Sequence, residues 1–278
     1  MKKNPKMDLY EFEFWPSADD KLGINQRFTD NIEIKYSKQD QHPGELLIRA
    51  SAKDESVQKA FEKSLSYLDE FFDFYCALKG SPISIQPADQ IDLLKPKLEY
   101  SKWHSFGSIT YHPFSLNQKE GKFISSSIKK LRMRKFNFLT LAMKYYRSAK
   151  LHEKISDKLI NYFISLESLY SDGNEITYRF SNRMAILLGK TKSQRKSLVT
   201  KGKKMYGYRS KIVHGTSTEL NKNSIKEVDA WVKGSILSFM ELMNYYDTRK
   251  EILKKLDEAM LDETTRIKLQ KQRKSKVI

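Results

Sequence analysis

From residue 125 to residue 246, apolar side chains recur at three- and four-residue steps in one segment after another. The connections between segments are short and carry polar residues or glycine. A chain patterned this way buries its apolar stripes by packing helix against helix. The spacing predicts helices over 125–150, 154–170, 176–189, 192–215 and 223–246. Asp172 with Gly173 ends the second, Gly189 the third and Gly215 the fourth, as stop residues do. Glycines 202 and 207 fall inside the fourth and mark places where it could divide. Short loops make neighbouring helices antiparallel, so the expected architecture is an all-α bundle.

The first hundred residues follow another rule. "LYEFEFW" (9–15), "NIEIKYS" (31–37) and "GELLIRASA" (44–52) alternate apolar and polar residues and are rich in β-formers. "HPG" at 42–44 punctuates the last two as a hairpin. Residues 54–80 then change to helical period through Val57, Phe61, Leu65, Leu68, Phe72 and Tyr75, with Asp54 as N-cap and Gly80 beyond the C-cap. Residues 81–100 hold three prolines and read as a strand followed by an irregular connection, and "FGSITYHPF" (106–114) reads as a further strand. The expected fold class is α+β: a small N-terminal sheet with a long helix over 1–124, a helical bundle over 125–262, and a basic tail over 263–278. The tail's last fifteen residues hold six Lys or Arg and no acid, so fraying is expected.

Charge narrows the partners. Lys and Arg number 51 against 34 Asp and Glu, a formal +17. A balance this basic attracts polyanions, nucleic acid first among them. The single cysteine, Cys76, lies in an apolar helical run and reads as a core residue; it can form neither an internal disulfide nor a cysteine-based metal site. No apolar run approaches 18 residues, and the N-terminus lacks the apolar region of a signal peptide, so a cytoplasmic protein without membrane contact is expected. His42, His104 and His112 read as turn or surface residues, and His152 as exposed between two helices.

His214 is different. It stands in "MYGYRSKIVHG" (205–215), at the last turn of the fourth helix and directly before Gly215. The negative end of the helix dipole favours a cation there. Arg209, five residues earlier, carries a permanent charge and a planar fork that grips phosphate. RNA cleavage requires that the ribose 2′-OH lose a proton, that the 5′-oxygen gain one, and that charge on phosphorus be neutralised. A histidine and an arginine supply these without a metal or other cofactor. Five residues is about 140° around an ideal helix, so the two side chains do not share a face. A distorted last turn, a bent arginine, or two helices meeting at a two-fold axis would each bring them together.

The surroundings of this pair, "Y-x-x-RSKIVHG", resemble the signature of the HEPN superfamily (higher eukaryotes and prokaryotes nucleotide-binding), in its Apea-like branch. "LINYFISLESLY" with Glu167 and "FSNRMAILLG" with Arg183 resemble it as well, in the right order, over roughly residues 130–248. The family often has an acidic residue two before the arginine, where this chain has Gly207. The resemblance implies a HEPN-type bundle and a metal-independent endoribonuclease acting as a homodimer with a composite cleft. Arg209 and His214 are then the catalytic pair and Ser210 the polar support. Glu167 braces Arg209, and Tyr206 either stacks a base, bonds a phosphate or packs in the core. Lys204, Lys211 and Arg183 are RNA contacts, Arg183 alternatively a structural residue. By analogy such an enzyme serves phage defence or acts as a toxin. The alternatives are a non-catalytic HEPN module that binds RNA or nucleotides or mediates assembly, and a protein-interaction adaptor.

Overall fold

The structure is a computed structural model that describes residues 8–16, 26–29, 32–36, 46–54, 56–82, 100–106, 116–134, 136–216 and 220–273. The chain divides into two compact units, one of Met1–Tyr75 with Ser81–Lys129, the other of Cys76–Gly80 with Lys130–Ile278.

The alternating segments of the first unit are strands: β1 (Asp8–Pro16), β3 (Ile32–Tyr36) and β4 (Leu46–Asp54). Two more join them, β2 (Gln26–Thr29) and β5 (Tyr100–Phe106), and the five form one sheet in the order β2-β3-β4-β1-β5. Neighbours pair antiparallel except β1 with β5, which run parallel. Ala50 and Ala52 of β4 lie two residues apart, hence on one face, and both are buried. β2 was not anticipated, being only four residues long with a single strong β-former pair, Phe28 and Thr29. The turn expected at 42–44, the strand expected in 81–100 and most of the one expected at 106–114 lie outside the described residues.

Helix α1 (Val57–Lys79) follows β4. Its cap is Ser56, whose Oγ accepts from the Lys59 backbone N–H at 3.3 Å, and not Asp54, which ends β4. Gly80, at φ +78, takes the left-handed conformation that closes a helix without steric cost. Over Phe71–Leu78 every residue is buried, because the run has almost no polar face to offer. Helix α2 (Gln118–Arg134) opens on a reciprocal cap, with the Glu120 N–H donating to Asn117 Oδ1 and the Asn117 N–H to Glu120 Oε2.

The second unit is a bundle: α3 (Asn137–Leu151), α4 (Ile155–Tyr170), α5 (Ile176–Leu188), α6 (Lys192–Val213), α7 (Lys222–Leu242), α8 (Arg249–Leu261) and α9 (Glu263–Gln272). The single helix expected over 125–150 is two, α2 and α3. Phe136 leaves helical geometry (φ −74, ψ 57) and buries its ring edge-on against Phe138, which meets Phe239 in the same way. No proline or glycine announces that break. α3 packs on α4 and α5 on α6, while α7 touches α3, α4 and α5. The shared core is formed by Leu139, Met143, Phe163, Leu166, Phe180, Met184, Val228, Ile236 and Phe239, all fully buried.

Arginines finish the helix ends that this packing buries. Arg183 of α5 is 1% exposed. It donates to Asp172 Oδ1 at 2.7 Å, to Asp257 Oδ1 and Oδ2 at 2.7 and 2.6 Å, and to the Tyr170 carbonyl. Arg249 donates to the carbonyls of Glu167, Leu169 and Ser171 while its guanidinium sits 5.6 Å over the Phe138 ring. Arg273 donates to the Leu187 carbonyl. The Glu167 carbonyl already accepts the Ser171 N–H at 2.9 Å, and the carbonyls that follow it in the last turn of a helix have no i+4 donor, so these contacts serve groups that burial would otherwise orphan.

The expected fraying tail is corrected over its first ten residues. Asp262 caps α9 by accepting from the N–H groups of Thr264 and Thr265, and Leu269 is buried. Tyr246 donates to Gln272 at 3.0 Å. Two anchors suffice to hold a helix whose sequence, judged by charge alone, reads as solvated. No helix among the described residues is long and apolar enough to cross a membrane.

Candidate active site

α6 carries eight Lys or Arg and no acid in 22 residues. Its start is fixed by Thr191, whose hydroxyl accepts from the Gln194 N–H at 3.2 Å while Gln194 Oε1 accepts from the Thr191 N–H at 3.3 Å. The helix runs unbroken past both internal glycines, which serve different ends. A Cβ at Gly202 would meet Ser181, Met184 and Phe180 at 3.3–3.6 Å, so this glycine lets α6 lie close on α5. A Cβ at Gly207 would meet nothing within 4 Å. Gly207→Ala is therefore expected to stabilise the protein by about 0.5–1 kcal/mol through helix propensity alone. Denaturant unfolding measures this; a loss of stability would mean that the open space is filled by something else in solution.

The end of α6 is equally defined. Gly215 stands at φ +76; its N–H donates to the Ile212 carbonyl at 3.0 Å, and the Thr216 N–H reaches back to Lys211 at 2.8 Å. This pair of bonds is the Schellman closure, with His214 as the C-cap residue (φ −86, ψ 13). The His214 N–H also donates to the Ser210 carbonyl at 3.1 Å. Nothing in the last turn is distorted enough to swing His214 toward Arg209, and His214 is exposed.

Arg209 points the other way. It is seven residues from Gly202 and four from Met205, the two buried residues of α6, and so lies on the bundle side. Its Nη2 is 3.3 and 3.4 Å from the carboxylate oxygens of Glu167 in the last turn of α4. Its guanidinium sits 5.6 Å over the Tyr206 ring. That ring in turn packs edge-on against Phe163 and tilted against Phe180, each at 5.6 Å. With two aromatic neighbours and a cation against it, the Tyr206 ring packs within the bundle and has little face left for a base.

Burial raises the Glu167 carboxyl above its ordinary range, opposed by the charge of Arg209 and by the Tyr206 hydroxyl. Burial also raises the Tyr206 hydroxyl, helped by the Glu167 charge and opposed by that of Arg209. Arg209 Nε is buried without an acceptor. The guanidinium is thus braced from α4, half-buried, and left with donor capacity that the bundle does not use.

The other candidates separate cleanly. Arg183 is committed to two aspartates and a carbonyl, and its side chain is closed to solvent, so it is a structural residue and not an RNA contact. Ser210 is half-buried beside Arg209 in sequence. Lys204 and Lys211 are exposed, with Lys204 Nζ 5.8 Å over the Tyr208 ring.

One grouping was not foreseen. Lys196, Lys203, Gly207 and His214 are spaced by 7, 4 and 7 residues, which puts them on one outward stripe. Lys203 Nζ lies 5.8 Å over the ring of Tyr178, itself 54% exposed. His214 thus ends a basic, aromatic-flanked stripe, while Arg209 faces inward about 140° away. The heptad spacing of lysines was readable in the sequence; the contribution of Tyr178 from α5 was not. Among the described residues, no three of His, Cys, Asp and Glu come together as metal ligands. Comparison of the chain with protein-family models, with curated proteins and with solved structures finds no match.

Proposed function

We propose that the protein is a metal-independent endoribonuclease of HEPN type, cleaving RNA with Arg209 and His214 in a cleft formed by two copies of α6. The observation that carries this reading is the orientation of the pair. Arg209 is braced by Glu167 on one side of α6, and His214 caps the helix on another. Within one chain they diverge; around a two-fold axis, the helix ends of two subunits converge. His214 then moves the proton between the ribose hydroxyl and the leaving oxygen, and Arg209 neutralises the phosphorane. Lys203, Lys204 and Lys211 hold the strand through its phosphates.

The second reading, a non-catalytic RNA-binding module, is favoured by one fact: Arg209 is already paired with a carboxylate. Light scattering together with cleavage assays on a dilution series tests the first reading. Specific activity that falls as dimers dissociate supports the composite cleft, and a monomer that cleaves at full rate overturns it. RNA binding that weakens steeply with salt, without cleavage at any concentration, supports the module.

A further inference from the structure

Gly207 serves no packing purpose inside the bundle. A glycine in a helix interior destabilises it relative to alanine, and at Gly202 the close approach to α5 accounts for that choice. At Gly207 a Cβ would meet nothing within 4 Å. The other common use of glycine is to let a second molecule come close to the backbone. One turn away on either side of Gly207, α6 carries Lys203, Lys204, Ser210 and Lys211. The three lysines are exposed and make no ion pair with the described residues. Lys201, on the α7 side of the same helix, is paired with Glu227 at 2.6 Å. α5 and α6 contain no Asp or Glu, so no acid of either helix neutralises the charge around Gly207.

Two tyrosines stand on either side of this bare stretch. Lys203 Nζ lies 5.8 Å over the ring of Tyr178 on α5, and Lys204 Nζ lies 5.8 Å over that of Tyr208. Tyr208 is half-buried, whereas Tyr178 is 54% exposed. A single exposed tyrosine is ordinary on a protein surface. This one stands beside unneutralised cations and a helix backbone without a side chain. The occupant that fits carries negative charge along its length and flat rings at its side. A second copy of α6 laid directly on this face would set lysines against lysines, and an anion between the two relieves that repulsion.

We propose that this face of α6 seats an unpaired stretch of RNA. The strand passes close over Gly207, with its phosphates on Lys203, Lys204 and Lys211 and one base stacked on Tyr178. The inference rests on the RNA-cleaving reading above and specifies its substrate as a single strand, because a base stacked within a duplex has no free face for the tyrosine ring. His214 is seven residues beyond Gly207 on the same stripe, about 10 Å along the helix, so a strand that follows the stripe leads from the seat to the proton carrier.

The test uses the full chain and a labelled single-stranded RNA 12-mer, 2′-O-methylated so that it cannot be cleaved, with binding read by fluorescence anisotropy. Gly207→Gln places a good helix former with a long neutral side chain on the seat. It is expected to raise the melting temperature by about 1–4 °C. It is also expected to weaken binding by about 5-fold or more, the smallest loss expected for one stacked base. A gain in stability with a loss in affinity separates a blocked seat from a damaged fold. Tyr178→Ala is expected to weaken binding about 5- to 100-fold at an unchanged melting temperature. Tyr245→Ala removes a ring that is 56% exposed, just past the end of α7, and is expected to leave affinity unchanged. Lys203→Gln is expected to reduce the slope of log affinity against log salt by about 0.7. Wild-type affinity in either Gly207→Gln or Tyr178→Ala overturns the seat, and RNA binding by the wild type then leaves the reading standing. Dimers that dissociate on Gly207→Gln in light scattering, with the monomer binding RNA as the wild type does, place a second copy on this face and overturn the seat equally. A wild-type chain that binds no RNA overturns both.

Discussion

Arg183→Met is expected to cost the bundle about 3 kcal/mol, a loss read directly from denaturant or thermal unfolding. The arginine is among the largest fully buried side chains of the described residues. It joins α5 to α8 through Asp257 and to the start of the α4–α5 loop through Asp172, and it takes the Tyr170 carbonyl. Methionine fills much of the volume and returns none of these bonds. The figure sits at the low end for a broken buried pair because the two aspartates are 37% and 47% exposed and regain water. The same cluster sets a pH dependence. Hydrogen bonds from Arg183 hold the Asp172 carboxyl below its ordinary range. Its contribution is present above about pH 4, the unfolded value, and is lost as pH falls through the lower folded value. Asp172→Asn is expected to be less stable at neutral pH and to lose less on acidification. An acid limb identical to the wild type's would contradict this.

His214→Ala is expected to lower RNA cleavage by about 10²- to 10⁴-fold, the usual contribution of a positioned proton carrier. It is also expected to leave the melting temperature almost unmoved, because the side chain is exposed and makes no hydrogen bond or ion pair with the described residues. Arg209→Ala separates the two halves of the pair. It removes the partner of a half-buried carboxylate, so it loses activity and also about 1 kcal/mol of stability. Glu167→Gln keeps the shape and drops the charge that orients Arg209; a smaller loss of rate is expected, with the pH profile changed as well. Equal melting temperatures for the Arg209 and His214 variants would contradict the assignment of one to the bundle face and the other to solvent.

What could be read in advance followed the range of the interactions. The Schellman end at His214–Gly215 is local, written in a glycine directly after a helical run. The strands β1, β3 and β4 and the helices α4 to α7 are local too, each set by its own period. The Arg209–Glu167 pair links residues 42 apart, and only the resemblance to a family suggested it. Arg183 shows the limit: its role depends on Asp257, 74 residues downstream, and nothing around Arg183 points there. α9 was missed for the same reason. Its charge suggested water, and the contacts that hold it, Leu269 in the core and Gln272 on Tyr246, come from the rest of the bundle. The break between α2 and α3 is likewise a packing decision, made by Phe136 and Phe138 against α7.

The most direct measurement is cleavage of total RNA in excess EDTA by the wild type, by His214→Ala and by Arg209→Ala. Cleavage by the wild type in the chelator, and loss of it in both variants, is the expected result. Cleavage that survives both substitutions, or wild-type cleavage that stops in EDTA and returns with a divalent ion, would contradict it.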